Sequence, residues 1–286
     1  MKIEGSASGE EKRSRKDMGS IRKRGGDGAR GCHRRPRRRV EATTSKAIQR
    51  LFLACKAVFK GPGTVPAAAD VQKLQHLLDN MKPEDFDLSA DLPFFKAKVA
   101  GKGTPRISYT TVYQCQNFSM CIFFLPPTAV IPLHNHPAMT VFSKLLVGSM
   151  HIKSYDFVDP AKSMDSTSSS RKRLARLEVD SDFTAPCDTS VLYPTTGGNI
   201  HTFTAITPCA VLDVLGPPYS KQDGRDITYY RDLPFSSTSD GGSDGAGAVA
   251  GAEGEDGLYG WLEETEVPGE ASMDAIPYLG PQIIDI

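Results

Sequence analysis

Two histidines, His134 and His136, lie one residue apart in the segment IPLHNHPAMTVF, residues 131–142, and a third, His201, follows in YPTTGGNIHTF. In an extended strand, side chains two residues apart share a face, so the first two imidazoles would point the same way about 7 Å apart along the backbone. An HxH pair alone is weak evidence of chemistry. His201 strengthens it, because it sits 65 residues beyond His136 with several strand-like segments between. That is enough chain to cross a small barrel and return opposite the first pair. Three imidazoles would hold Zn²⁺, Cu²⁺, Ni²⁺ or Fe²⁺ and leave other positions of the ion open. No carboxylate stands where it would complete the set. The ion would therefore keep its full double charge and favour an anionic ligand brought by a substrate.

The elements that must position these residues divide the chain. Residues 1–41 form an arm rich in Gly, Ser and Arg. Its first forty residues hold fourteen Lys or Arg against five Asp or Glu, a local excess of nine positive charges inside a net charge of zero. Too polar to bury a core, this arm is expected to be disordered. Its clusters KRSRK and RRPRRR read either as a nuclear import signal or a loose grip on nucleic acid, or as a solvated tail. After Arg231 no basic residue occurs, and residues 236–257 have the Gly-rich, acidic composition of a disordered linker.

Between these segments lies one expected domain, residues 42–286. Within residues 42–82, Ile48, Leu51, Phe52, Cys55 and Val58 recur at helical spacing up to Gly61-Pro62-Gly63. Val71, Leu74, Leu77, Leu78 and Met81 do the same up to Lys82-Pro83. Two amphipathic helices packed on the outside of the main domain are the expectation, with His76 a surface or packing residue. From Ile107 onward, TTVYQC, MCIFFL, TVFSKLLVG, MHIKSYDFV, SVLYP, HTFTAI, AVLDVL and ITYYRDL read as short strands separated by Pro, Gly or Asn turns. With no helical pattern between them, they predict an antiparallel sandwich or small barrel. Residues 161–173 read as a polar loop, and LYGWLEE and PQIIDI as returns to the body. Six cysteines without a CxxC pair suit a reducing compartment. No apolar run reaches the roughly 18 residues of a membrane span, and no secretory signal is evident.

The two histidine segments resemble the paired motifs of the cupin superfamily, a Gly-HxH-Glu-Gly pattern followed by PxG, two residues and His. Gly148 closes the first motif, and Pro194, Gly197, Gly198 and His201 supply the second approximately. The position of the usual glutamate falls at Val141, beside Thr140. An ion held by neutral ligands alone lowers the pKa of a coordinated thiol so that it binds as thiolate. Thiolate beside O₂ on one centre is the setting for thiol dioxygenation.

A narrower resemblance is carried by IPLHNHPAMTVFSKLLVGSMHIKSYDFVD, VLYPTTGGNIHTFTAITPCAVLDVLGPPYS and DGRDITYYRDLP. Together they look like the plant cysteine oxidases, relatives of cysteamine dioxygenase, over roughly Ala42 to Phe235 with a weaker return at LYGWLEE. The resemblance implies a mainly β fold: a cupin double-stranded β-helix, or jelly-roll barrel, with a short N-terminal helical segment. It implies Fe(II) held by His134, His136 and His201, and O₂-dependent oxidation of the N-terminal cysteine of target proteins to cysteine sulfinic acid. Group VII ethylene-response transcription factors are the implied partners, marked for the N-degron pathway as an oxygen-sensing step. A monomer in nucleus and cytoplasm is expected, with no direct nucleic-acid or membrane binding.

Two further residues follow from the same resemblance. Asp213, alone among the apolar residues of AVLDVLGPPYS, is implied to orient the substrate's amino terminus or a ligand histidine; the alternative is an edge position facing solvent. Tyr219, after Pro217-Pro218, is either a pocket hydroxyl or a rim aromatic. Some cysteamine dioxygenase relatives carry a cysteine two residues before a tyrosine in the DGR segment, where a crosslink has been proposed. Ile227 before Tyr229 rules that link out here. His151 reads as a non-ligand. Two other readings stay open: a dioxygenase of a small free thiol such as cysteamine, and a catalytically silent cupin acting through its basic arm.

Overall fold

The structure, a computed structural model, describes residues 45–89, 92, 94, 105–159, 172–234 and 258–285. The basic arm, most of the polar loop and the acidic Gly-rich insertion lie outside the described residues.

Two helices open the described chain, α1 (Lys46–Val58) and α2 (Ala68–Asp79). Their apolar stripes bury as helical periodicity requires: Ile48, Leu51, Phe52, Cys55 and Val58 on α1, and Val71, Leu74 and Leu78 on α2. His76 is exposed. Twelve strands follow among the described residues: β1 (Ile107–Gln114), β2 (Ser119–Leu125), β3 (Val130–His134), β4 (Thr140–Val147), β5 (Ser149–Phe157), β6 (Lys172–Thr184), β7 (Ser190–Leu192), β8 (Ile200–Ala205), β9 (Cys209–Gly216), β10 (Tyr229–Pro234), β11 (Tyr259–Thr265) and β12 (Met273–Ala275). They form two sheets. One runs β12-β1-β2-β9-β4-β7; the other runs β10-β11-β6-β5-β8-β3 and closes where β10 meets β3 through Tyr229 and His134. This is the double-stranded β-helix that the family resemblance implied, and a form of the small antiparallel barrel read from the strand pattern. Among the described residues no helix is long and apolar enough to cross a membrane.

The first sheet is covered on its outer face by the helices. Phe52 and Phe59 pack against Phe118, in a cluster that also holds Met120, Ile122, Phe142, Leu212 and Val214. The inner face meets the second sheet through Ile107, Leu125, Leu145, Phe203 and Val211. Strand β9 is therefore buried at every position, Cys209 to Gly216. Its alternation is decisive for the site: Leu212 and Val214 face the helices, so Val211, Asp213 and Leu215 face inward. Lys144, buried in β4, reaches past this core and donates to the carbonyls of Asp79, at the end of α2, and Cys187.

Two expectations need correction. The polar loop placed at residues 161–173 ends earlier, because Lys172 and Arg173 already belong to β6. That strand of 13 residues was not anticipated at all. It pairs with β5 on one side and β11 on the other, yet only Ala175 along it is fully buried. Its inward face is thin, with Ala175 and Leu177 in one apolar cluster and Phe183 against another, so the ladder carries much of its hold. The segment LYGWLEE supplies β11, with Leu262 buried. Residues of PQIIDI lie against α1, where the Gln49 side chain donates to Ile284 O at 2.8 Å and accepts from Ile284 N at 2.9 Å.

Gly216 tests the helix–sheet contact. A methyl group at this position would drive into the ring of buried Phe59. Gly216→Ala is expected to lower stability by about 1–3 kcal/mol, read as a lower denaturant midpoint with an unchanged m-value.

Candidate metal centre

The strand that carries His134 is irregular, and the irregularity aims the side chains. Along β3 the register against β8 pairs Ile131 with Phe203 but then shifts, so that His134 stands opposite His201. Simple alternation would send Ile131 and His134 to opposite faces. The bulge turns both into the same cavity. Leu133 goes the other way, into a cluster with Tyr155 and Leu262.

His136 does not lie in a strand, contrary to the reading of HxH as two same-facing strand positions. β3 ends at His134. Asn199 holds His136 instead, by three hydrogen bonds: the His136 N–H donates to Asn199 Oδ1 at 3.1 Å, the Asn199 amide donates to the His136 carbonyl at 2.9 Å, and His136 Nδ1 meets the Asn199 carbonyl at 3.0 Å. Asn199 is itself fixed by Asp156, whose carboxylate accepts the N–H groups of Gly198 and Asn199. Gly198 has φ +79°, and a side chain there would collide with Ser154. The GGN turn thus serves as a rigid support for both His136 and His201.

The three rings converge. Their centroids are 4.6–5.0 Å apart and each pair is steeply tilted. One ligating nitrogen from each lies within 4.8 Å of the others. His201 is on the strand next to His134, not across the barrel as its sequence distance suggested; Phe203 stacks on its ring at 4.4 Å. His134 Nδ1 donates to the Pro132 carbonyl at 2.8 Å and His136 Nδ1 to that of Asn199, which leaves each Nε2 as a lone-pair donor. Burial holds all three imidazoles neutral. It depresses His134 to about 4; burial, then the neighbouring His134, takes His136 to about 3; and burial with both neighbours takes His201 well below its usual range. Among the described residues the cluster contains three imidazoles and no carboxylate. Three buried neutral imidazoles, two of them fixed with Nε2 free, fit a metal site.

The expected glutamate position explains the missing carboxylate. Val141 packs among Met139, Leu192 and Leu215, and neither it nor Thr140 lines the cavity. Asp213 does line it. It is buried, and one of its carboxylate oxygens has no hydrogen-bond partner. Burial pushes its pKa up to about 7, with a bond from Ser143 opposing the rise. The solvent-facing alternative for Asp213 is excluded. Tyr219 lines the same cavity, its ring 5.7 Å from that of His136. Its hydroxyl donates to the Asn135 carbonyl at 2.8 Å, so it braces the loop between His134 and His136. Ile227 and Tyr229 also line the cavity, Tyr229 as the cross-strand partner of His134. His151 lies elsewhere, between Asp180 and Asp182 on β6.

Sequence reasoning missed Asn199, Asp156 and the placing role of Tyr229. A polar, turn-forming Asn directly before the strand of His201 was the available signal for the first. Nothing local marked Asp156, whose partners are more than forty residues away.

Asn199→Ala is expected to weaken divalent-metal affinity by about 10–100-fold, measured by competition with a chromophoric chelator. A second expectation concerns Asp213 in the metal-free protein. A carboxyl raised from 3.8 to about 7 contributes stability that is complete below the lower value and lost as pH rises through the higher one. Asp213→Asn should therefore leave stability at pH 4 nearly unchanged and raise it at pH 8, on the order of a few kcal/mol, as followed by denaturant unfolding at the two pH values.

Comparison with known proteins places this geometry. The PCO_ADO family model matches residues 77–283. Plant cysteine oxidase 2 of Arabidopsis thaliana is 48% identical over 278 residues, covering 95% of this chain and 96% of the relative. Plant cysteine oxidase 1 of the same organism is 49% identical over 245 residues, covering 84% of this chain and 81% of the relative. Human 2-aminoethanethiol dioxygenase is more distant, 26% identical over 270 residues, covering 82% of this chain and 96% of the relative. A solved double-stranded β-helix protein from Klebsiella pneumoniae shares 13% identity at a TM-score of 0.30, over 49% of this chain and 96% of that one. With three neutral imidazoles gathered in a double-stranded β-helix and likeness of this extent to the plant cysteine oxidases, the chain belongs to the PCO_ADO family of thiol dioxygenases.

Proposed function

We propose that the chain binds Fe²⁺ through His134, His136 and His201 and uses O₂ to convert the N-terminal cysteine of a target protein to cysteine sulfinic acid. The observation that carries this reading is the donor set: three buried neutral imidazoles with no carboxylate among them. Iron bound there would retain its double charge, draw a cysteine thiol in as thiolate and bring O₂ to it, the sulfur itself giving up the four electrons of the oxidation and taking both oxygen atoms.

The chain's own residues hold the substrate. A peptide's first residue carries an ammonium beside its thiol, and Asp213 offers a buried carboxylate oxygen with no partner of its own. An incoming cation would favour its ionised form, so amine and carboxylate stabilise each other once water is excluded. Tyr219 keeps the Asn135 carbonyl in place and with it the loop of His136. Phe203 and Ile131 supply the apolar lining beside the histidines that keeps water off the reacting sulfur. Group VII ethylene-response transcription factors are the proposed targets, and the enzyme is proposed to act as a monomer in nucleus and cytoplasm. Oxidation would mark them for the N-degron pathway and make their lifetime a measure of O₂.

The test is direct. A Cys-initiated peptide incubated in air with the iron-loaded protein should gain about 32 Da, two oxygen atoms on one sulfur. Free cysteamine in a parallel reaction should be turned over far less efficiently. No mass gain from protein with verified bound iron would overturn the proposal, and a preference for cysteamine would replace it with a small-thiol reaction.

A further inference from the structure

The cavity above the histidines has two chemical zones. Its floor is buried and polar: the three histidines and Asp213. Seven half-buried residues line it as well, among them Tyr109, Phe123, Ile227, Ala271 and Met273, and these carry no charge. The cavity volume is about 350 Å³, ample for a cysteine and part of the residue after it. Successive residues of an extended chain advance about 3.3–3.6 Å. A substrate whose first residue lies on the floor therefore puts its second side chain in the apolar zone.

Part of that zone comes from far along the chain, and it is firmly set. Met273 begins β12, which pairs in parallel with β1 at Ile107. Arg106 holds the next residue with a two-pronged bond to both oxygens of Asp274, at 2.8 and 2.6 Å. The Ile276 N–H donates to the Tyr109 carbonyl at 2.9 Å. Farther on, Asp285 accepts from Lys56 Nζ at 2.7 Å and from the Tyr113 hydroxyl at 2.6 Å. Each exposed bond is weak alone. In series they fix the segment against α1 and β1, so this wall is preformed rather than assembled around the ligand.

Resting on the reaction proposed above, we infer that Met273 and Ala271, with Tyr109 and Ile227 lining the same mouth, form the subsite for the side chain of the substrate's second residue. The subsite selects small or apolar side chains and rejects charged ones. A charge in that position loses hydration against half-buried apolar groups, and the lining offers no counter-ion beyond Asp213, which the substrate's ammonium engages.

The experiment uses the iron-loaded full-length protein and four peptides beginning with Cys that differ only in the second residue: Gly, Val, Glu or Lys. Wild-type kcat/KM should be at least tenfold higher for Gly and Val than for Glu and Lys, chiefly through KM. Met273→Lys should raise the Glu-to-Gly ratio at least fivefold and lower the Lys-to-Gly ratio, and Met273→Glu should do the reverse. Ala271→Lys and Ala271→Glu repeat the exchange at a second position should a Met273 variant misfold. Equal turnover of all four peptides, or ratios unmoved by all the variants, would overturn the subsite while leaving the reaction intact. Oxidation of none of the peptides by iron-bound protein would overturn the reaction, and the subsite with it.

Discussion

Everything chemical in this fold depends on the register of β3 against β8. One bulge between Ile131 and His134 sets His134 opposite His201 and turns it inward. Had the pairing continued without that extra residue, the imidazole would have pointed to the other side of the sheet. The third ring is brought to this pair by a side chain, not by a ladder: Asn199 grips His136 on both its backbone groups and its ring. Since Asn199 lies two residues before His201 in the chain, a single turn controls two rings. Asp156 then controls the turn.

The electrostatic character of the centre follows from burial. Three imidazoles that cannot easily take a proton remain donors over the physiological pH range. Asp213 is the counterpart: a carboxyl kept costly by its surroundings and without a full set of partners. Such a group lowers stability in the resting protein as pH rises through its raised pKa. The same logic separates it from Asp156, which is also buried but accepts backbone N–H bonds and serves the scaffold.

Much of this was legible in the residues. The stripes of α1 and α2 announced both helices and their buried faces, because a one-sided apolar pattern has no other stable use. Short β-branched runs announced most strands. The exceptions were β12, only three residues long, and β6, where Arg, Glu and Asp alternate with residues that are mostly only half-buried; such segments leave little trace in an apolar pattern. The three histidines were legible as a set, but the reason for their convergence was not. A bulge is invisible without the partner strand, and nothing in the HxH pattern marks the end of β3 at His134, so His136 read as a strand position. Tyr229, Ala271 and Met273 reach the cavity only through long-range closure of the sheets, which no local pattern encodes. The chemical identity of the family, by contrast, was carried by contiguous motifs and was readable directly.

Strand β9 has no side that meets water: Leu212 and Val214 are pressed by the helix layer while Asp213 and Leu215 border the reaction chamber. A segment so enclosed has little freedom to drift, because a change suited to one neighbour disturbs the other. Changes on a peripheral piece such as β12 can therefore be accommodated without reopening the interior.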